Sequence, residues 1–380
     1  MKKYNKFLAG VMAVCLMGSI SVIPESISPA VSLTASAEEV YTYENLTYDF
    51  LEDGTIEITG CDKSATEVVI PAEIDGVPVT SIGKNAFYEC SSLTSIEIPE
   101  SITNIRNNAF YKCSNLTSVK IPDSLTSIEV GVFANCSSLT SIEIPDSVTS
   151  IKGGAFCHCN NLESITIPDN VTIIGGLAFY DTPWINERKT ENSIITINNI
   201  LIDGMSCKGS VVIPDNVTSI ADEAFLYCES LTSIEIPDNV TSIGYYTFSE
   251  CKNLNEVTIL NPDCEIYDNS ETFTNGWDST KLTISFNGTI YGYENSTAQE
   301  YAEKYKRKFV SLGEAPKQNT ATGDFNGDGD FNISDVVIFQ KYILGSSDTE
   351  ISDWKQADLY PDGVLDVFDL CLMKKKLIEK

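Results

Sequence analysis

The sequence is short of basic residues and contains a single histidine. Its 380 residues include 25 lysines and arginines against 54 acidic residues, which gives a formal net charge of −29. So acidic a surface repels nucleic-acid phosphates and anionic lipid headgroups, which disfavours a DNA, RNA or membrane-surface partner but is compatible with a hard cation such as calcium. His158 alone excludes a two-histidine zinc motif and leaves at most one base for a Ser-His-Asp arrangement.

Long apolar runs are also scarce, and the N-terminal one is interpreted as a secretory signal peptide over residues 1–37. Lysines precede the mostly apolar stretch 7–23, and Ala35-Ser36-Ala37 matches an A-x-A cleavage site. A membrane anchor is the alternative, but the run is short, Gly- and Ser-interrupted, and lacks a basic stop signal. We expect a secreted protein. Since no later apolar span or L-P-x-T-G motif occurs, any attachment to a cell surface is expected to be non-covalent.

A 23-residue period dominates the middle of the chain. Such a period is typical of a solenoid, in which each unit buries its apolar side against its neighbours. Phenylalanines recur at this spacing, with one interval of two periods and one of 25 residues: Phe87, Phe110, Phe133, Phe156, Phe179, Phe225, Phe248 and Phe273. A cysteine follows three residues after six of them: Cys90, Cys113, Cys136, Cys159, Cys228 and Cys251.

Each unit contains an alternating pattern that predicts a short strand. In one unit, Leu139, Ile142 and Ile144 form L-x-x-I-x-I, with Ser141 and Glu143 at the outward positions. A proline follows and ends the strand, because proline has no N–H for the ladder.

Three segments depart from this pattern. Residues 41–60 contain Asp53-Gly54, a strong hairpin signal, and are predicted to form a strand cap over the first coil. Residues 182–209 are predicted to be a variant coil, and residues 297–310 to be a short helix and a final strand that close the far end.

The repeat A-F-x-x-C-x-x-L-x-x-I-x-I-P-x-x-V-x-x-I resembles the BspA-type leucine-rich repeats of bacterial surface proteins, over about residues 66–310. The resemblance implies a mainly β solenoid that takes part in adhesion and protein contact, and it brings no catalytic residues.

The cysteines are predicted to be buried thiols. Of the 12 cysteines, Cys15 lies in the predicted signal peptide, which leaves 11 in the mature chain. A secreted chain with many cysteines usually contains disulfides. Here six cysteines lie at the same position of the repeat, which indicates that they serve as small buried side chains. Many free thiols in a secreted protein fit a reducing or anaerobic setting.

The outward strand positions are small, polar and somewhat acidic, and they lack the aromatic and arginine anchors of typical protein interfaces. They are Ser95, Glu97, Ser118, Lys120, Ser141, Glu143, Ser164, Thr166, Ser233 and Glu235. Tyr88, Tyr111 and Tyr180 each follow a repeat phenylalanine. We interpret them as partly buried edge residues, with a glycan-contacting ridge as the alternative.

The remaining solenoid residues give no catalytic signal. The run Cys157-His158-Cys159 is too tight for one tetrahedral metal site, and no second ligand cluster accompanies it. The repeat glutamates occur once per coil, whereas glycoside hydrolysis needs two carboxyl groups facing each other across a cleft.

Two loops near the C-terminus match an EF-hand calcium loop. Calcium is bound by six to eight hard oxygen atoms, supplied at positions 1, 3, 5, 7, 9 and 12 of the loop. In the first loop these positions are Asp324, Asn326, Asp328, Asp330 (through its carbonyl), Asn332 and Asp335, with Gly329 at the sharp turn. A helix is predicted from Val336 to Leu344.

The second loop begins 34 residues later and lacks one oxygen ligand. Tyr360 occupies position 3, so we expect calcium to bind this loop more weakly. The ligand positions are Asp358, Asp362, Val364 (through its carbonyl), Asp366 and Asp369. A helix is predicted from Leu370 to Ile378.

Two such loops, each followed by a helix but lacking an incoming helix, resemble a type I dockerin over residues 323–380, after a polar linker at 311–322. The resemblance implies a small all-α domain with two calcium ions that binds a cohesin domain of a scaffold protein. It implies cohesin contacts for Ile333, Ser334, Gln340 and Lys341 in the first copy and Val367, Phe368, Lys374 and Lys375 in the second.

The combined prediction is a secreted, non-catalytic cellulosome component with a solenoid at 38–310. It docks on a cohesin with calcium and presents a leucine-rich-repeat surface for adhesion or protein binding. Two alternatives stay open: a polysaccharide-degrading glycoside hydrolase, suggested because most dockerin-bearing chains resemble such enzymes, and a carbohydrate-binding module.

Overall fold

The computed structural model describes residues 40–278, 283–316, 323–328, 330–346, 357, 359 and 364–378. The predicted signal peptide and the second half of the predicted linker lie outside these residues. The described chain forms a β solenoid and a small helical region, as the sequence predicted.

The first three strands form the predicted cap. β1 (Tyr41–Tyr43), β2 (Leu46–Phe50) and β3 (Ile56–Cys61) are antiparallel neighbours. The β2–β3 turn contains Gly54 with a φ of +84°, a left-handed conformation that glycine adopts without steric cost. β3 pairs in parallel with β6 (Val77–Ile82), so the cap continues into the first coil.

The coils contribute short, mostly parallel strands to two rows, although the coil around Ser118 has no first-row strand. The first row, which carries the L-x-x-I-x-I motif, contains β4 (Glu67–Val69), β7 (Ser95–Glu97), β10 (Ser141–Glu143), β12 (Ser164–Thr166), β16 (Gly209–Val212), β18 (Leu231–Ile236), β20 (Glu256–Ile259), β24 (Thr289–Gly292) and β25 (Lys308–Ser311). After β6, the second row contains β8 (Asn104–Ile105), β9 (Ser127–Ile128), β11 (Ser150–Ile151), β13 (Ile173–Ile174), β15 (Ile200–Asp203), β17 (Ser219–Ile220), β19 (Ser242–Ile243) and β21 (Glu265–Ile266).

The alternation of the repeat decides which side chains face inward. In β10, Ile142 is buried while Ser141 and Glu143 are exposed, and β12 repeats this in register, with Ile142 opposite Ile165. The predicted outward positions are thus at the surface.

A ladder of phenylalanine rings fills the interior between the two rows. Phe87, Phe110, Phe133, Phe156 and Phe179 are buried, and successive ring centroids lie 4.9 to 5.8 Å apart with nearly parallel planes. A second ladder runs through the later coils at Phe225, Phe248 and Phe273. The ring stacking explains why the phenylalanine period is so strict.

The ladder is interrupted by a helix where the sequence predicted a variant coil. α1 (Pro183–Glu191) lies one period after β12, at the level where a first-row strand would stand. The backbone N–H of Trp184 donates to the Leu162 carbonyl, and the Trp184 ring packs against Phe179. The coil is retained, but its first strand is replaced by a helix.

A hairpin completes this coil. β14 (Ile195–Ile197) is antiparallel to β15, and β15 pairs in parallel with β17, so the second row resumes after α1. Lys189 of α1 lies 2.7 Å from the carboxylate of Asp203, which is almost fully buried. This ion pair connects the helix to the resumed row.

The far end closes as predicted. α2 (Thr297–Lys304) buries Ala298, Tyr301 and Ala302 against the last coils, and β25 pairs with β24. Two further hairpins are formed by β5 (Glu73–Ile74) with β6 and by β22 (Gly276–Asp278) with β23 (Thr283–Ser285).

The C-terminal region has its own small core around α3 (Ile333–Ile343) and α4 (Val367–Ile378). Buried side chains from both helices meet there: Phe325, Phe331, Val336, Phe339, Ala357, Leu370 and Met373. Both helices begin three residues earlier than the sequence predicted, because the last residues of each loop already form the first turn.

Candidate calcium loops and docking surface

Asp324 opens the first loop, and its side chain is almost fully buried. Its Oδ1 accepts the N–H groups of Gly327 at 2.7 Å and Asp328 at 3.2 Å. These bonds bend the chain tightly around the carboxylate, as an ion-binding loop requires at its first position.

Asp335, at position 12, connects the two ends of the same loop. Its Oδ1 accepts from Phe325 at 2.9 Å and Asn326 at 3.1 Å, and its Oδ2 accepts from the Asn332 N–H at 2.8 Å. Asn332 in turn caps α3 through the Ser334 N–H, which makes a reciprocal capping box with Asp335. The buried carboxylate therefore fixes both the loop and the start of the helix.

The other predicted ligands lie on the more exposed side of the loop. Asn326 donates from Nδ2 to Asp328 Oδ2 at 2.8 Å, and Asp328 Oδ1 accepts the Asp330 N–H at 2.9 Å. The Asp330 carbonyl accepts from Asn332 Nδ2 at 3.0 Å. Gly329 lies outside the described residues.

The donor set fits calcium in chemistry. All side chains assigned to the loop offer carboxylate or amide oxygens, which are the hard ligands that calcium prefers. Two of the carboxylates, Asp324 and Asp335, are buried at 1% and 0% exposure. Within the described residues, however, no group of three His, Cys, Asp or Glu side chains is drawn together as a preformed metal cluster.

The described part of the second loop repeats the first. Asp369 is fully buried, and its Oδ2 accepts the Asp366 N–H at 3.0 Å, as Asp335 accepts from Asn332. Asp366 Oδ1 accepts the Phe368 N–H at 2.7 Å. The predicted ligands Asp358 and Asp362 lie outside the described residues, and Val364 is exposed.

All eight predicted cohesin-contact residues are exposed. Ile333 is 69% exposed, and Val367 and Phe368 are 55% and 64% exposed. The core of this region is small, and yet these large apolar side chains face water instead of adding to it. Exposed apolar side chains grouped in this way are typical of an interaction surface.

Three further apolar residues of the first helical copy are exposed that the sequence did not single out: Val337, Tyr342 and Leu344. Val337 lies four residues after Ile333, and Leu344 lies seven residues after Val337, so these three are on or near one helix face. That spacing was the signal available in the sequence.

The cysteine and histidine run of the solenoid is explained by the repeat. His158 has a φ of +58°, and the equivalent residues Lys112, Asn135 and Glu250 have φ values of 59° to 61°. His158 Nδ1 lies 2.9 Å from Asp181 Oδ2 on the half-exposed coil edge. The run is thus the repeat's left-handed turn with an ordinary surface pair.

The tyrosine ridge is largely covered. The rings of Tyr88 and Tyr111 stack on each other with centroids 5.1 Å apart, and both are half-buried. Tyr180 is 38% exposed. Because the first two tyrosines cover each other's faces, the structure favours the interpretation of partly buried edge residues.

Comparison with known families follows the two parts of the chain. Residues 80–208 and 203–297 match the BspA type leucine rich repeat region, in six copies, and residues 322–378 match the dockerin type I domain. Both are non-catalytic domain types; dockerin type I domains are calcium-binding in general and dock on cohesins. No curated protein matches the chain.

Solved leucine-rich repeat structures are similar to the chain. One, from T. pallidum, is 22% identical, with coverage of 72% of this chain and 98% of that chain and a TM-score of 0.37. Another, from Bacteroides ovatus, is 22% identical over 68% of this chain and 80% of that one, with a TM-score of 0.34. A third, from Bacteroides capillosus, is 31% identical over 34% of this chain and 99% of that one, with a TM-score of 0.31.

No helix among the described residues is long and apolar enough to cross a membrane.

Proposed function

The chain belongs to the BspA-type leucine-rich-repeat proteins, and from this premise we propose that it is a secreted, non-catalytic component of a cellulosome-type assembly. Residues 323–380 dock it on a scaffold cohesin, and the solenoid at 38–310 presents a surface for adhesion or protein binding. The polar stretch 311–322 serves as the linker, and residues 1–37 serve as the signal peptide.

The observation that carries this proposal is the pair of matching loop ends. Asp335 and Asp369 are both fully buried, and each accepts the N–H group three residues earlier, at the start of an exposed apolar helix turn. The region that matches dockerin type I therefore contains two copies of one motif, a carboxylate-rich loop followed by a helix that we assign to docking.

Calcium would be held at the first loop by Asp324, Asn326, Asp328, Asp330, Asn332 and Asp335, and at the second by Asp358, Asp362, Val364, Asp366 and Asp369. A bound ion would offset the mutual repulsion of these carboxylates. Because Tyr360 stands at position 3, the second loop has one oxygen ligand fewer and the weaker affinity.

The docking surface is formed by Ile333, Ser334, Gln340, Lys341, Val367, Phe368, Lys374 and Lys375. The two copies present different side chains, Ile-Ser in one and Val-Phe in the other. Since a cohesin would meet different chemistry in the two orientations, we expect one preferred binding orientation.

The test is binding of the full mature chain to a panel of immobilised type I cohesin domains. We expect binding by at least one cohesin in calcium and its loss in a chelator. Asp335→Asn should weaken that binding by tenfold or more, whereas Asp238→Asn, on the exposed surface of the solenoid, should leave it unchanged. Binding that survives both the chelator and Asp335→Asn would contradict the proposal.

The orientation and the absence of catalysis have their own readouts. We expect the loss of cohesin affinity in an Ile333→Ala/Ser334→Ala variant to differ clearly from the loss in Val367→Ala/Phe368→Ala. Such a difference supports a single orientation, and equal losses overturn it.

Reducing sugar released from plant cell-wall fibre by the purified chain would overturn the non-catalytic assignment.

A further inference from the structure

The solenoid carries an open trough on the outer side of its second strand row. The trough begins at β13, passes β15, β17 and β19, and ends at β21, with a volume of about 360 Å³. That volume lies within the range of small-molecule binding sites, roughly 300 to 1,000 Å³. Neighbouring strands are about 4.8 Å apart, so the paired strands β15 to β21 alone span roughly 14 Å of it.

A change in the repeat sequence opens this space. The residue that follows the second-row isoleucine is Gly83 in the first coil and is long and charged in the next three, as Arg106, Glu129 and Lys152. In the later coils it is Gly175, Ala221 or Gly244, which have no long side chain, and Tyr267 occupies the same position at the end of the trough. The coils of Arg106, Glu129 and Lys152 therefore have charged side chains at this level, and the coils of Gly175, Ala221 and Gly244 have a recess.

An aromatic ring closes one end of the trough. Tyr267 is 51% exposed, and its backbone N–H donates to the Ile243 carbonyl at 2.9 Å, which holds the residue in the row. Tyr245 packs edge-on against the Tyr267 ring, with centroids 5.0 Å apart. The Tyr267 ring is thus supported from one side while half its surface faces water. At the opposite end, Ile173 is 52% exposed.

The polar groups of the trough are hydroxyls and carboxylates. Thr172, Ser219 and Ser242 contribute hydroxyls, and Asp222 and Glu265 contribute carboxylates. Asp222 Oδ1 accepts the Tyr245 N–H at 2.6 Å, which fixes this carboxylate at the wall. None of the lining residues is basic. An anionic ligand would therefore be repelled, whereas hydroxyl groups would find acceptors along the floor.

We propose that this trough binds a segment of a neutral polysaccharide, with one sugar ring stacked on Tyr267 and neighbouring hydroxyls bonded to Ser242, Ser219 and Asp222. The strand spacing is close to the advance of one pyranose ring along a β-linked chain, so successive coils present their polar groups to successive rings. A neutral sugar fits better than a cationic peptide because the hydroxyls outnumber the carboxylates. The assignment names a ligand for the adhesive solenoid and does not depend on docking.

The test uses the full mature chain and isothermal titration with soluble neutral β-glucan and xylan oligosaccharides. Oligogalacturonate serves as the anionic probe and a lysine-rich peptide as the cationic probe. We expect binding of at least one neutral oligosaccharide and of neither charged probe. Tyr267→Ala should lower the affinity by about tenfold, the loss expected for removing an aromatic anchor. Ser242→Trp, which fills the floor, should abolish binding.

The matched control is Tyr227→Ala. Tyr227 is 64% exposed in the same half of the solenoid but does not line the trough. It should leave sugar binding unchanged, and all three variants should keep the parent Tm and the parent cohesin affinity. The proposal is overturned if no neutral oligosaccharide binds, if the peptide binds in their place, or if both trough variants bind as tightly as the control. A chain that binds sugar but no cohesin would contradict the docking function alone.

Discussion

At the residue scale, the repeat cysteines act as small buried donors. Cys113, Cys136 and Cys159 are fully buried, and each thiol donates to the carbonyl of the phenylalanine in the preceding coil, at 3.1 to 3.2 Å. No disulfide occurs among the described residues, whose 11 cysteines are all free thiols. Each phenylalanine carbonyl also accepts the backbone N–H three residues later in its own coil, so the thiol is its second donor.

These thiols predict a loss of stability at high pH. Burial, and then the charge of Cys90, raises the pKa of Cys113 from 9.0 to about 12, and burial likewise raises the pKa of Cys159 to about 12. Since the folded pKa lies above the unfolded one, the stabilisation is complete below pH 9.0 and is lost as pH rises toward about 12. In that pH range, deprotonation of each thiol lowers the free energy of unfolding by up to about 1.4 kcal/mol per pH unit.

The measurement is chemical denaturation of the parent and of a Cys113→Ala/Cys159→Ala variant from neutral pH upward. The variant should be less stable at neutral pH, because it has lost two buried donors, and its stability should fall less steeply above pH 9.0. Parallel curves for the two proteins would show that the buried thiols do not cause the loss.

At the element scale, α1 holds the interrupted coil together. Its first turn is capped by Thr182, whose hydroxyl accepts the Ile185 N–H at 3.2 Å, and Pro183 stands in the first turn. The Trp184 ring is 5% exposed, lies 5.0 Å from the Phe179 ring and has the Arg188 guanidinium over its other side at 3.9 Å. Trp184 thereby continues the aromatic stack at the point where the phenylalanine ladder stops.

Truncation of this ring should destabilise the solenoid strongly. We expect Trp184→Ala to lower the free energy of unfolding by about 3 to 5 kcal/mol, and Thr182→Ala by about 1 kcal/mol. Urea denaturation measures both, with Tyr227→Ala as the exposed aromatic control, for which a change below about 0.5 kcal/mol is expected. If Trp184→Ala were as stable as the control, the packing of Trp184 against the core would not contribute to the stability of the solenoid.

The strand rows could be predicted from the sequence because each coil repeats the same inward residues at one spacing. α1 could not be predicted from that period, since one deviant copy carries no repeat signal. Thr182-Pro183 was a local helix-start signal, but it lies in a segment with little helical periodicity. The first candidate calcium loop could be located in the sequence because its carboxylate and amide side chains follow a fixed spacing. The trough could not, because it depends on which residues five separate strands place side by side.

At the scale of the whole molecule, the buried apolar side chains of the described residues form three clusters. Two belong to the solenoid and meet near Leu201 and Ile202, on either side of the interrupted coil. The third is the small cluster around Phe325 and Phe339. The solenoid clusters are extensive and contain almost only apolar side chains, so their stability does not call for an ion. The third contains few residues, and three buried carboxylates lie beside it.

This contrast predicts two thermal transitions that respond differently to calcium removal. Asp324, Asp335 and Asp369 are all at most 1% exposed, and an ion bound to their loops contributes its binding free energy to folding. In calorimetry of the full chain, a chelator should lower the transition of the C-terminal region by about 10 °C or more and leave the solenoid transition unchanged. Asp335→Ala should reproduce the chelator's effect in the presence of calcium, whereas Asp238→Ala should not. A C-terminal transition that stays at the same temperature with and without the chelator would mean that its loops fold on backbone hydrogen bonds alone, such as the three that Asp335 accepts.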